Sequence, residues 1–471
     1  MGGTARGSVA LVVALPPSLW HSCLDAAEWA PRAPLGGDID VDVAIVGAGY
    51  TGLWTAYYLA ERDPGLRIAV VEAATAGFGA SGRNGGWCSA LLPMSLDTMA
   101  AGHGRDAAVR LQREMFATVD EVGAVAAREG IGCHFVKGGT LVMARNPAHT
   151  GRLQAEIEHL RSYGFGEEDM AWLPAAEARR RLAATDLEGA QFTPHCASID
   201  PARLVRGLAS AVERRGAVIY DDTPVTAIEP RRLRTERGTV NAEVVVRCTE
   251  AFTSSLAGHR RDIAPVYSLM VATEPLPASF FEAVGWDERS TFSDARRMVI
   301  YGQRTADDRI AFGGRGAPYH FGSALKPSFE HHRRVHDLLE QTLHELFPPL
   351  GDVQITHRWG GAVGVPRDWQ CSVGLDRSTG MAWAGGYVGD GVGTTNLAGR
   401  TLADLITGTA SELVDLPWVG HRSKRWEPEP LRWIGINSMV RLPIGIDRYE
   451  ERHRRPERWR SAILDRMTGG H

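Results

Sequence analysis

Three glycines near residue 50 and an acidic residue beyond them have the spacing that holds the phosphates and ribose of a dinucleotide. Gly47, Gly49 and Gly52 fit the pattern G-x-G-x-x-G. The first glycine permits a tight turn, the second lets the backbone approach a pyrophosphate, and the third lets a helix pack closely on a strand. Glu72 follows about 20 residues later, where a carboxylate accepts hydrogen bonds from ribose hydroxyls and repels a 2′-phosphate. The spacing therefore predicts a dinucleotide site that disfavours NADP.

A second glycine-rich run, GFGASGRNGG at residues 77–86, follows the acidic residue. Its backbone N–H groups, hydroxyl, amide and guanidinium can bind a diphosphate and a flavin beside it. An NAD-dependent dehydrogenase would not need this second run. The pair of runs predicts FAD, although glycine, serine and asparagine also favour surface loops for local reasons.

These residues need a strand, a helix and a second strand to position them. Residues 41–46 and 67–71 are apolar and predict two strands, and the stretch between them predicts an apolar-striped helix. The N-terminus of that helix would face the phosphates with its free N–H groups. No cationic side chain is then required at the turn.

Length and charge limit the classes of protein to which the chain can belong. The chain has 471 residues, and this length exceeds what one hydrophobic core usually serves, so two domains are predicted. Hydrophobic residues make up 44% of the chain, which is enough to build both cores. Its 52 basic and 56 acidic residues give a formal charge of −4 and are well mixed, so neither nucleic acid nor a membrane is an expected partner. The Arg-rich stretch 452–460 is interpreted as a solvated helix face or tail.

Six scattered cysteines, with no C-x-x-C and no paired Cys/His spacing, predict a reduced cytoplasmic protein without structural zinc. The sixteen histidines show no ligand spacing, so no metal is predicted. Residues 9–16 (VALVVALP) resemble a short signal core but lack a small-residue cleavage site after them, which leaves secretion as an alternative. No apolar run approaches the ~20 residues of a membrane helix.

Further elements follow from periodicity. The predicted elements are amphipathic helices at 104–130 and 150–185 with a strand between them, a helix, strand, turn and strand over 199–229, β-rich alternation from 264 to 315, a basic helix near 327–346, and a third glycine-rich turn before a helix starting near Thr394. The N-terminus of this last helix would point a positive dipole at whatever lies before it.

Six segments together resemble the glycine/D-amino-acid oxidase (DAO) superfamily of FAD-dependent oxidoreductases, and within it the gamma-glutamylputrescine oxidase-like members. They are GAGYTGL (47–53), GFGASGRNGG (77–86), ATEPL (272–276), RIAFGGR (309–315), RWGG (358–361) and GYVGDGVGTTNLAG (386–399). The resemblance implies an α/β fold. It combines a Rossmann-like FAD-binding domain of the glutathione-reductase type with a discontinuous α+β substrate domain whose antiparallel sheet covers the flavin.

The resemblance also implies a division of the chain and a set of cofactor contacts. The predicted parts are an N-terminal extension (1–37), the FAD-binding domain (38–100, 190–260 and 355–415), the substrate domain (101–189 and 261–354), and a C-terminal docking segment with a basic tail (416–471). The predicted cofactor-binding residues are Gly47, Gly49, Tyr50, Thr51, Gly52, Glu72, Ala73, Gly79, Ala80, Ser81, Arg83, Asn84, Gly85, Gly86, Val225, Thr249, Gly360, Gly389, Asp390, Gly391, Gly393 and Thr394. The helix after Asp390 would stabilise the negative charge of a reduced flavin, although on spacing alone this run could equally be a simple strand-to-helix turn.

Two departures from family patterns narrow the prediction. Some sarcosine-oxidase-like relatives tether FAD through a cysteine, but the matching segment 359–366 has no thiol, and Cys88 and Cys371 are interpreted as packing residues. FAD is therefore predicted to be non-covalent. Where such relatives place a lysine that holds a substrate carboxylate, this chain has Gly393, which makes a small α-amino acid a less natural substrate than an amine whose polar end lies elsewhere.

Substrate contacts are expected from segments that resemble flavin-facing ones. The predicted catalytic residues are Trp87, Arg297, Tyr301, Trp359 and Tyr387. The aromatic side chains would form an enclosure that excludes water, although each could instead belong to the core. Arg297 and Arg315 could orient a distant carboxylate or carbonyl, and Arg297 could promote O2 reduction, with surface placement as the alternative.

The expected reaction is oxidation of a primary or secondary amine. A hydride leaves the carbon next to nitrogen for flavin N5, the imine is hydrolysed, and O2 is the expected acceptor, giving H2O2. The alternatives are an amino-acid oxidase, an amine dehydrogenase with another acceptor, and a catalytically weak FAD-binding protein. The sequence predicts no oligomeric state.

Overall fold

The computed structural model describes residues 18–468 and contains two eight-stranded sheets. The strands are β1 (Ile39–Val46), β2 (Ile68–Val71), β3 (Trp87–Ser89), β4 (Thr140–Ala144), β5 (Ala171–Pro174), β6 (Gly189–Thr193), β7 (Cys196–Ser198), β8 (Val218–Tyr220), β9 (Val225–Glu229), β10 (Arg232–Thr235), β11 (Gly238–Arg247), β12 (Ile263–Thr273), β13 (Thr291–Asp294), β14 (Ile300–Arg304), β15 (Ile310–Gly314), β16 (Ile355–Pro366), β17 (Ser372–Asp376) and β18 (Met381–Gly385). The α-helices are α1 (Leu19–Ser22), α2 (Tyr50–Arg62), α3 (Leu96–His103), α4 (Arg105–Arg128), α5 (Pro147–Ser162), α6 (Ala175–Arg181), α7 (Pro201–Arg214), α8 (Ala278–Val284), α9 (Arg333–Leu346), α10 (Gly391–Thr407), α11 (Leu431–His453) and α12 (Trp459–Thr468).

The first sheet has the strand order β17-β18-β11-β1-β2-β8, and the β9–β10 hairpin extends it beside β11. Strand β1 pairs in parallel with β2 and β11, and β8 and β18 continue the parallel arrangement. Residues 43–46 are at most 4% exposed, as expected for a parallel strand covered on both faces. This is the Rossmann-like layer that the glycine pattern predicts.

Helices α2 and α10 pack against each other on this layer. A Cβ at Gly399 of α10 would lie 2.6 Å from the Cβ of Trp54 in α2, so only glycine allows the two helices to approach this closely. Helix α2 follows β1 and α10 follows β18, and the carboxyl ends of parallel strands lie at one edge of a sheet. The N-termini of both helices therefore meet at that edge.

The second sheet has the order β16-β12-β15-β14-β13-β4-β6-β5. Its pairs are antiparallel except for β4 with β13. Leu269, Val271 and Phe312 point to one face and share a buried apolar cluster with Leu339 and Leu343 of α9. The opposite face is therefore free to cover the first layer.

Sheet membership differs from the predicted domain division at two strands. Strands β6 and β16 belong to the second sheet, whereas residues from 190 and from 355 were assigned to the cofactor domain. Strand β16 pairs with β12 along nearly its whole length, so its backbone hydrogen bonds commit it to that sheet. A small sheet of β3 and β7 lies apart from both. The rest of the division stays a prediction.

Three helices differ from their predicted bounds. The stretch 150–185 is interrupted by β5, because Gly164 adopts a φ of +90° and Pro174 precedes α6. Helix α9 begins at Arg333, after a 3-10 turn that starts at Pro327. Helix α10 begins at Gly391 rather than Thr394, since glycine accepts helical geometry when packing favours it.

Both ends of the described chain pack on the layers. Arg206 of α7 donates hydrogen bonds to the carbonyls of Glu28 and Ala30, each at 2.7 Å, which fastens the N-terminal extension to the first layer. At the other end, Glu450 of α11 pairs with Arg152 at 2.6 Å. Residues 452–460, where α11 ends and α12 begins, are largely exposed, as the basic stretch predicted. The signal-like residues 9–16 lie outside the described residues.

Between residues 18 and 468, no helix is long and apolar enough to cross a membrane. Over the same span, no three or more His, Cys, Asp or Glu side chains are grouped so that they could hold a metal ion. All six cysteines are free thiols.

Candidate active site

The first glycine turn is shaped by close backbone approaches. Gly47 has a φ of +103°, and a Cβ there would lie 2.6 Å from the carbonyl oxygen of Cys248. A Cβ at Gly52 would lie 2.0 Å from the carbonyl oxygen of Gly47. Gly49 is the N-cap residue of α2 and has no side chain to cap this helix, although the Ser81 hydroxyl accepts from the N–H of Tyr50. The turn therefore keeps its other first-turn N–H groups for a pyrophosphate, as such a site requires.

Glu72 lies beside this turn at the end of β2. Its carboxylate accepts hydrogen bonds from the backbone N–H of Ala48 at 2.8 Å and of Ala74 at 3.0 Å. Burial raises the pKa of the Glu72 carboxyl, and these N–H groups act in the opposite direction. The neighbouring Ala73 is exposed. The carboxylate is thus fixed where ribose hydroxyls are expected.

The second glycine run is attached to the start of α2. Ser81 accepts a hydrogen bond from the backbone N–H of Tyr50 at 2.9 Å. Asn84 holds the run together, because its amide donates to the carbonyl of Ala80 at 3.1 Å and accepts from the N–H of Gly86 at 2.8 Å. The two glycine runs therefore form one continuous backbone surface, which includes Gly79 before the 3-10 turn Ala80–Gly82.

Gln303 of β14 connects this surface to the second sheet. Its side-chain amide donates to the carbonyls of Gly85 and Ile199, each at 3.0 Å. A Cβ at Gly86 would lie 1.8 Å from the Gln303 Nε2 atom. Only glycine at position 86 allows the two layers to meet in this way.

Arg83 is buried between the layers. Its Nη1 atom pairs with Glu330 at 2.5 Å, and its guanidinium lies 4.6 Å from the ring centre of Phe78. Burial raises the pKa of the Glu330 carboxyl, and Arg83 opposes that rise. The Arg83 Nε atom is buried and has no hydrogen-bond partner in the described chain. It is an unused donor at the edge of the second glycine run.

The third glycine-rich turn leads into α10. Asp390 is the N-cap residue, but its side chain makes no capping hydrogen bond. A Cβ at Gly393 would lie 2.5 Å from the carbonyl oxygen of Ser89, and the Thr394 hydroxyl donates to the carbonyl oxygen of Asp390 at 2.5 Å. Helix α10 therefore also begins with N–H groups that no side chain caps.

Glu250 anchors the segment before that turn. Its carboxylate accepts a hydrogen bond from the backbone N–H of Tyr387 at 2.9 Å, and burial raises its pKa to about 7. The residue adopts a φ of +41°, which is uncommon outside glycine. The preceding Thr249 has its Cα 3.9 Å from the position of a Cβ at Gly47. Glu250 thus links the first and third glycine turns.

An aromatic pair stands over the second glycine run. The rings of Trp87 and Tyr301 meet edge to face with centroids 6.1 Å apart. The Tyr301 hydroxyl lies 2.8 Å from the Ser268 hydroxyl, and a Cβ at Gly85 would lie 2.7 Å from the Tyr301 ring. The Trp87 Nε1 atom is buried with no partner among the described residues. The two half-buried rings face the space between the sheets, as a substrate enclosure would.

The structure does not bring every predicted substrate residue to this pair. Arg297 pairs with Asp465 of α12 at 3.0 Å, so the C-terminal helices hold it. Trp359 is 2% exposed and donates to the carbonyl of Arg83 at 2.9 Å. Tyr387 is also 2% exposed, with its hydroxyl 3.2 Å from that of Thr51. Trp359 and Tyr387 are therefore buried supports of the glycine turns and do not line the space beside the Trp87–Tyr301 pair.

Two predicted cofactor contacts also lie away from the glycine turns. A Cβ at Gly360 would point to Leu269, on the α9 side of the second sheet, whereas one at Gly361 would lie 3.8 Å from the Cβ of Arg83. Val225 begins strand β9, in the hairpin that extends the first sheet. In β16 it is therefore Gly361, and not the adjacent Gly360, that faces the second glycine run.

Four residues of this region were not singled out from the sequence: Trp20, Glu250, Ser268 and Gln303. Glu250 lies three residues beyond the end of β11, and a charge shortly after an apolar strand is a usable signal. Ser268 lies between the buried Tyr267 and Leu269 of β12, which marks a face but not its partner. Gln303 is itself buried, between Gly302 and Arg304, so no alternation marks it.

Trp20 belongs to the N-terminal extension. Its Nε1 atom donates to the carbonyl of Asn84 at 2.8 Å, and its ring meets that of Trp359 edge to face at 6.4 Å. Trp20 therefore supports the second glycine run.

We expect Trp20→Phe to keep most of the packing and to lose the hydrogen bond to Asn84. Because Asn84 belongs to the second glycine run, this loss should weaken FAD binding about 3- to 10-fold. Fluorescence titration of the apoprotein with FAD measures the change. Trp433→Phe, at a 42% exposed tryptophan, is the control. Equal affinities for all three proteins would contradict a supporting role for Trp20.

No accessible thiol stands at the site. Cys88 and Cys371 are completely buried, and burial raises the pKa of each thiol. A buried, protonated thiol is a poor nucleophile. This agrees with the prediction of non-covalent FAD, which stays a prediction.

The arrangement fits a flavin dinucleotide. The candidate cofactor cleft between the layers is bordered by the N-termini of α2 and α10, by Glu72 beside the first turn, and by the donors of Arg83 and Trp87 that have no partner among the described residues. Helix N-termini and such donors bind the anionic parts of a cofactor. Fold and site together define the class of dinucleotide-binding oxidoreductases.

Comparison with known proteins agrees with this class. The family model "FAD dependent oxidoreductase" (DAO) matches residues 42–405. Gamma-glutamylputrescine oxidoreductase of Escherichia coli (strain K12) is 31% identical over 412 residues, which is 85% of this chain and 93% of that protein. The crystal structure of glycine oxidase from Geobacillus kaustophilus superposes with a TM-score of 0.66 at 23% identity, covering 81% of this chain and 99% of that one. The chain belongs to the DAO family of FAD-dependent oxidoreductases, which confirms the resemblance, the fold class and FAD as the cofactor.

Proposed function

We propose that the protein oxidises a primary or secondary amine at the carbon next to nitrogen. The observation that carries this proposal is the Trp87–Tyr301 pair, which places aromatic surface over the second glycine run. Burial raises the pKa of the Tyr301 hydroxyl and keeps it protonated. The similarity to a gamma-glutamylputrescine oxidoreductase over most of both chains supports an amine substrate.

FAD, when bound, supplies a two-electron acceptor for a hydride from the substrate carbon. The chain's own residues bind, orient and dehydrate the amine. Trp87 and Tyr301 would hold its apolar part, and Ser268 fixes the Tyr301 hydroxyl. The uncapped N-terminus of α10 would stabilise negative charge that develops in the site. Loss of hydride from the neutral amine leaves a protonated imine, and water converts it to a carbonyl compound and ammonium or a smaller amine.

We expect O2 to be the final acceptor, giving H2O2, and the reaction to take place in the cytoplasm. An amine dehydrogenase with another acceptor and an amino-acid oxidase are the alternative enzymes. A catalytically weak FAD-binding protein is the alternative of another class.

An anaerobic absorbance screen tests the proposal. The purified yellow protein is mixed with polyamines, gamma-glutamylated amines, N-methyl amines and amino acids, and air is then readmitted. We expect an amine to bleach the flavin band, and air to restore the colour with release of H2O2. Dithionite is the control that proves the flavin reducible. Bleaching that persists in air indicates another acceptor, and dithionite bleaching without any response to amines would contradict the proposal.

A further inference from the structure

Asp390 is an unpartnered carboxylate at the edge of the candidate site. An aspartate at a helix N-cap ordinarily accepts a hydrogen bond from the first turn, but the Asp390 side chain makes none. Within the described residues it also has no other hydrogen bond and no ion pair. Burial raises the pKa of its carboxyl, and Arg315 opposes that rise. The residue is half-buried, and its carboxylate oxygens stay accessible to a ligand.

Arg315 stands beside this carboxylate without pairing to it. Its Nη2 atom donates to the carbonyl of Val388 at 2.8 Å and would lie 3.4 Å from a Cβ at Gly389. The guanidinium therefore fixes the turn that carries Asp390. Arg315 follows Gly313 by two residues along the strand, which its backbone N–H continues by donating to the carbonyl of Val299 at 3.0 Å, so the two residues share a face. A Cβ at Gly313 would lie 2.6 Å from the Tyr301 ring, which places Arg315 and the turn it holds on the Tyr301 side of the second sheet.

We propose that Asp390 receives the proton of the amine substrate and that Arg315 positions it. This rests on the proposed function and adds a catalytic residue to it. Amines are mostly ammonium ions near neutral pH, but only the neutral amine can lose a hydride. The ammonium nitrogen passes one proton to a carboxylate oxygen of Asp390, the neutral amine loses its hydride to the flavin, and Asp390 releases the proton to solvent after the product leaves.

The titratable groups that feel the Asp390 charge do not compete for this role. Tyr301 lies on β14, Cys196 on β7, and Cys371 directly before β17, and the Asp390 charge contributes to raising the pKa of each. Burial raises all three pKa values, so these groups are neutral near pH 7. Arg315 is the cation in this set.

The test compares wild type with Asp390→Asn for amines of different basicity. An alkylammonium group titrates near ~10.4, so on the order of one molecule in a thousand is neutral at pH 7. We expect the second-order rate of anaerobic flavin reduction by an alkylamine to fall on the order of 1,000-fold at pH 7 in the variant, and then to rise about tenfold per pH unit. For a fluorinated amine that is mostly neutral at pH 7, the loss should be less than about tenfold.

The outcomes separate two failures. Equal losses for basic and weakly basic amines would overturn the role of Asp390 while leaving amine oxidation intact. Failure of every amine to reduce the wild type would instead remove the proposed function. FAD content and thermal unfolding of the variant identify damage to the fold. Asp390→Ala is a second variant, and with the same amines it must also lose more rate for basic amines than for weakly basic ones.

Binding of an unreactive amine gives a readout that does not depend on turnover. tert-Butylamine has no hydrogen on the carbon next to nitrogen, so it binds without reacting. We expect the holoenzyme to bind it, seen as a shift of the flavin spectrum, and Asp390→Asn to bind it at least about tenfold more weakly at pH 7. In the wild type, the rate of flavin reduction should rise with pH as the Asp390 carboxyl loses its proton. Arg315 lowers the pKa of Asp390, so Arg315→Met should move this rise to higher pH. Arg315→Lys should restore the wild-type profile. An unchanged pH profile would overturn the positioning role.

Discussion

Substitution of Gly52 by alanine is expected to yield a protein that does not retain FAD. The new Cβ would lie 2.0 Å from the carbonyl oxygen of Gly47 and 3.1 Å from Ile45 Cγ2. A backbone atom cannot rotate away as a side chain can, so α2 must move off β1 and open the phosphate turn. We expect the dissociation constant for FAD to rise on the order of 100-fold, or about 2.7 kcal/mol. The flavin-to-protein absorbance ratio and a fluorescence titration measure the loss.

Alanine substitutions at two other glycines serve as comparisons for Gly52→Ala. Gly49→Ala should have a smaller effect, because its Cβ would meet the Ser81 hydroxyl at 2.9 Å and a side chain can adjust. Gly102→Ala in α3 has no atom within 4 Å of the new Cβ and should bind FAD as the wild type does. A Gly52→Ala protein with stoichiometric FAD and unchanged affinity would contradict a phosphate site at this turn.

Glu250→Gln is expected to change how stability depends on pH. Burial raises the pKa of this carboxyl from its ordinary value of 4.5 to about 7. Between these values the folded protein holds a proton that the unfolded chain lacks, so the free energy of unfolding falls as pH rises through this window. Above pH 7 the penalty is fully present, and about 3 kcal/mol. Glutamine keeps the acceptor for the Tyr387 N–H and has no proton to lose.

The measurement is denaturant unfolding of the FAD-loaded proteins from pH 5 to pH 8. The variant should gain stability relative to wild type as pH rises, and the difference should level off above pH 7. Taking the difference between the two proteins cancels the other titrating groups. Glu243→Gln, at an exposed position on the same strand, should show no such trend. A flat difference for Glu250→Gln would mean that the carboxylate is ionised in the folded protein throughout this range.

The sequence predicts the phosphate-binding parts because their physics is local. Gly47, Gly52 and Glu72 act through one strand-helix-strand unit, and spacing alone describes it. Gln303 is different, since its partners are the carbonyls of Gly85 and Ile199, far away in the chain. No periodicity within β14 could reveal them.

Residue type also does not tell which side of an element a residue faces. Gly360 and Gly361 are adjacent in β16 and point to opposite faces, so a shift of one residue decides which of them approaches Arg83. Trp359 and Trp87 are both tryptophans near Arg83 in the fold, but one supports the glycine run and the other faces the cleft. Arg297 is held by the C-terminal helices, whose docking site the sequence does not specify.

The order of strands in the first sheet constrains how the protein is made. Strand β1 pairs with β11, and β11 pairs with β18, which is followed by α10. A ribosome must therefore synthesise most of the chain before the last wall of the FAD cleft exists. Until then residues 245–247 of β11, beyond the part that pairs with β10, have no partner strand on that edge. Pairing of such distant segments is slow and exposes strand edges. Because α10 follows β18 late in the chain, we expect FAD to bind only after this segment has been made and has paired.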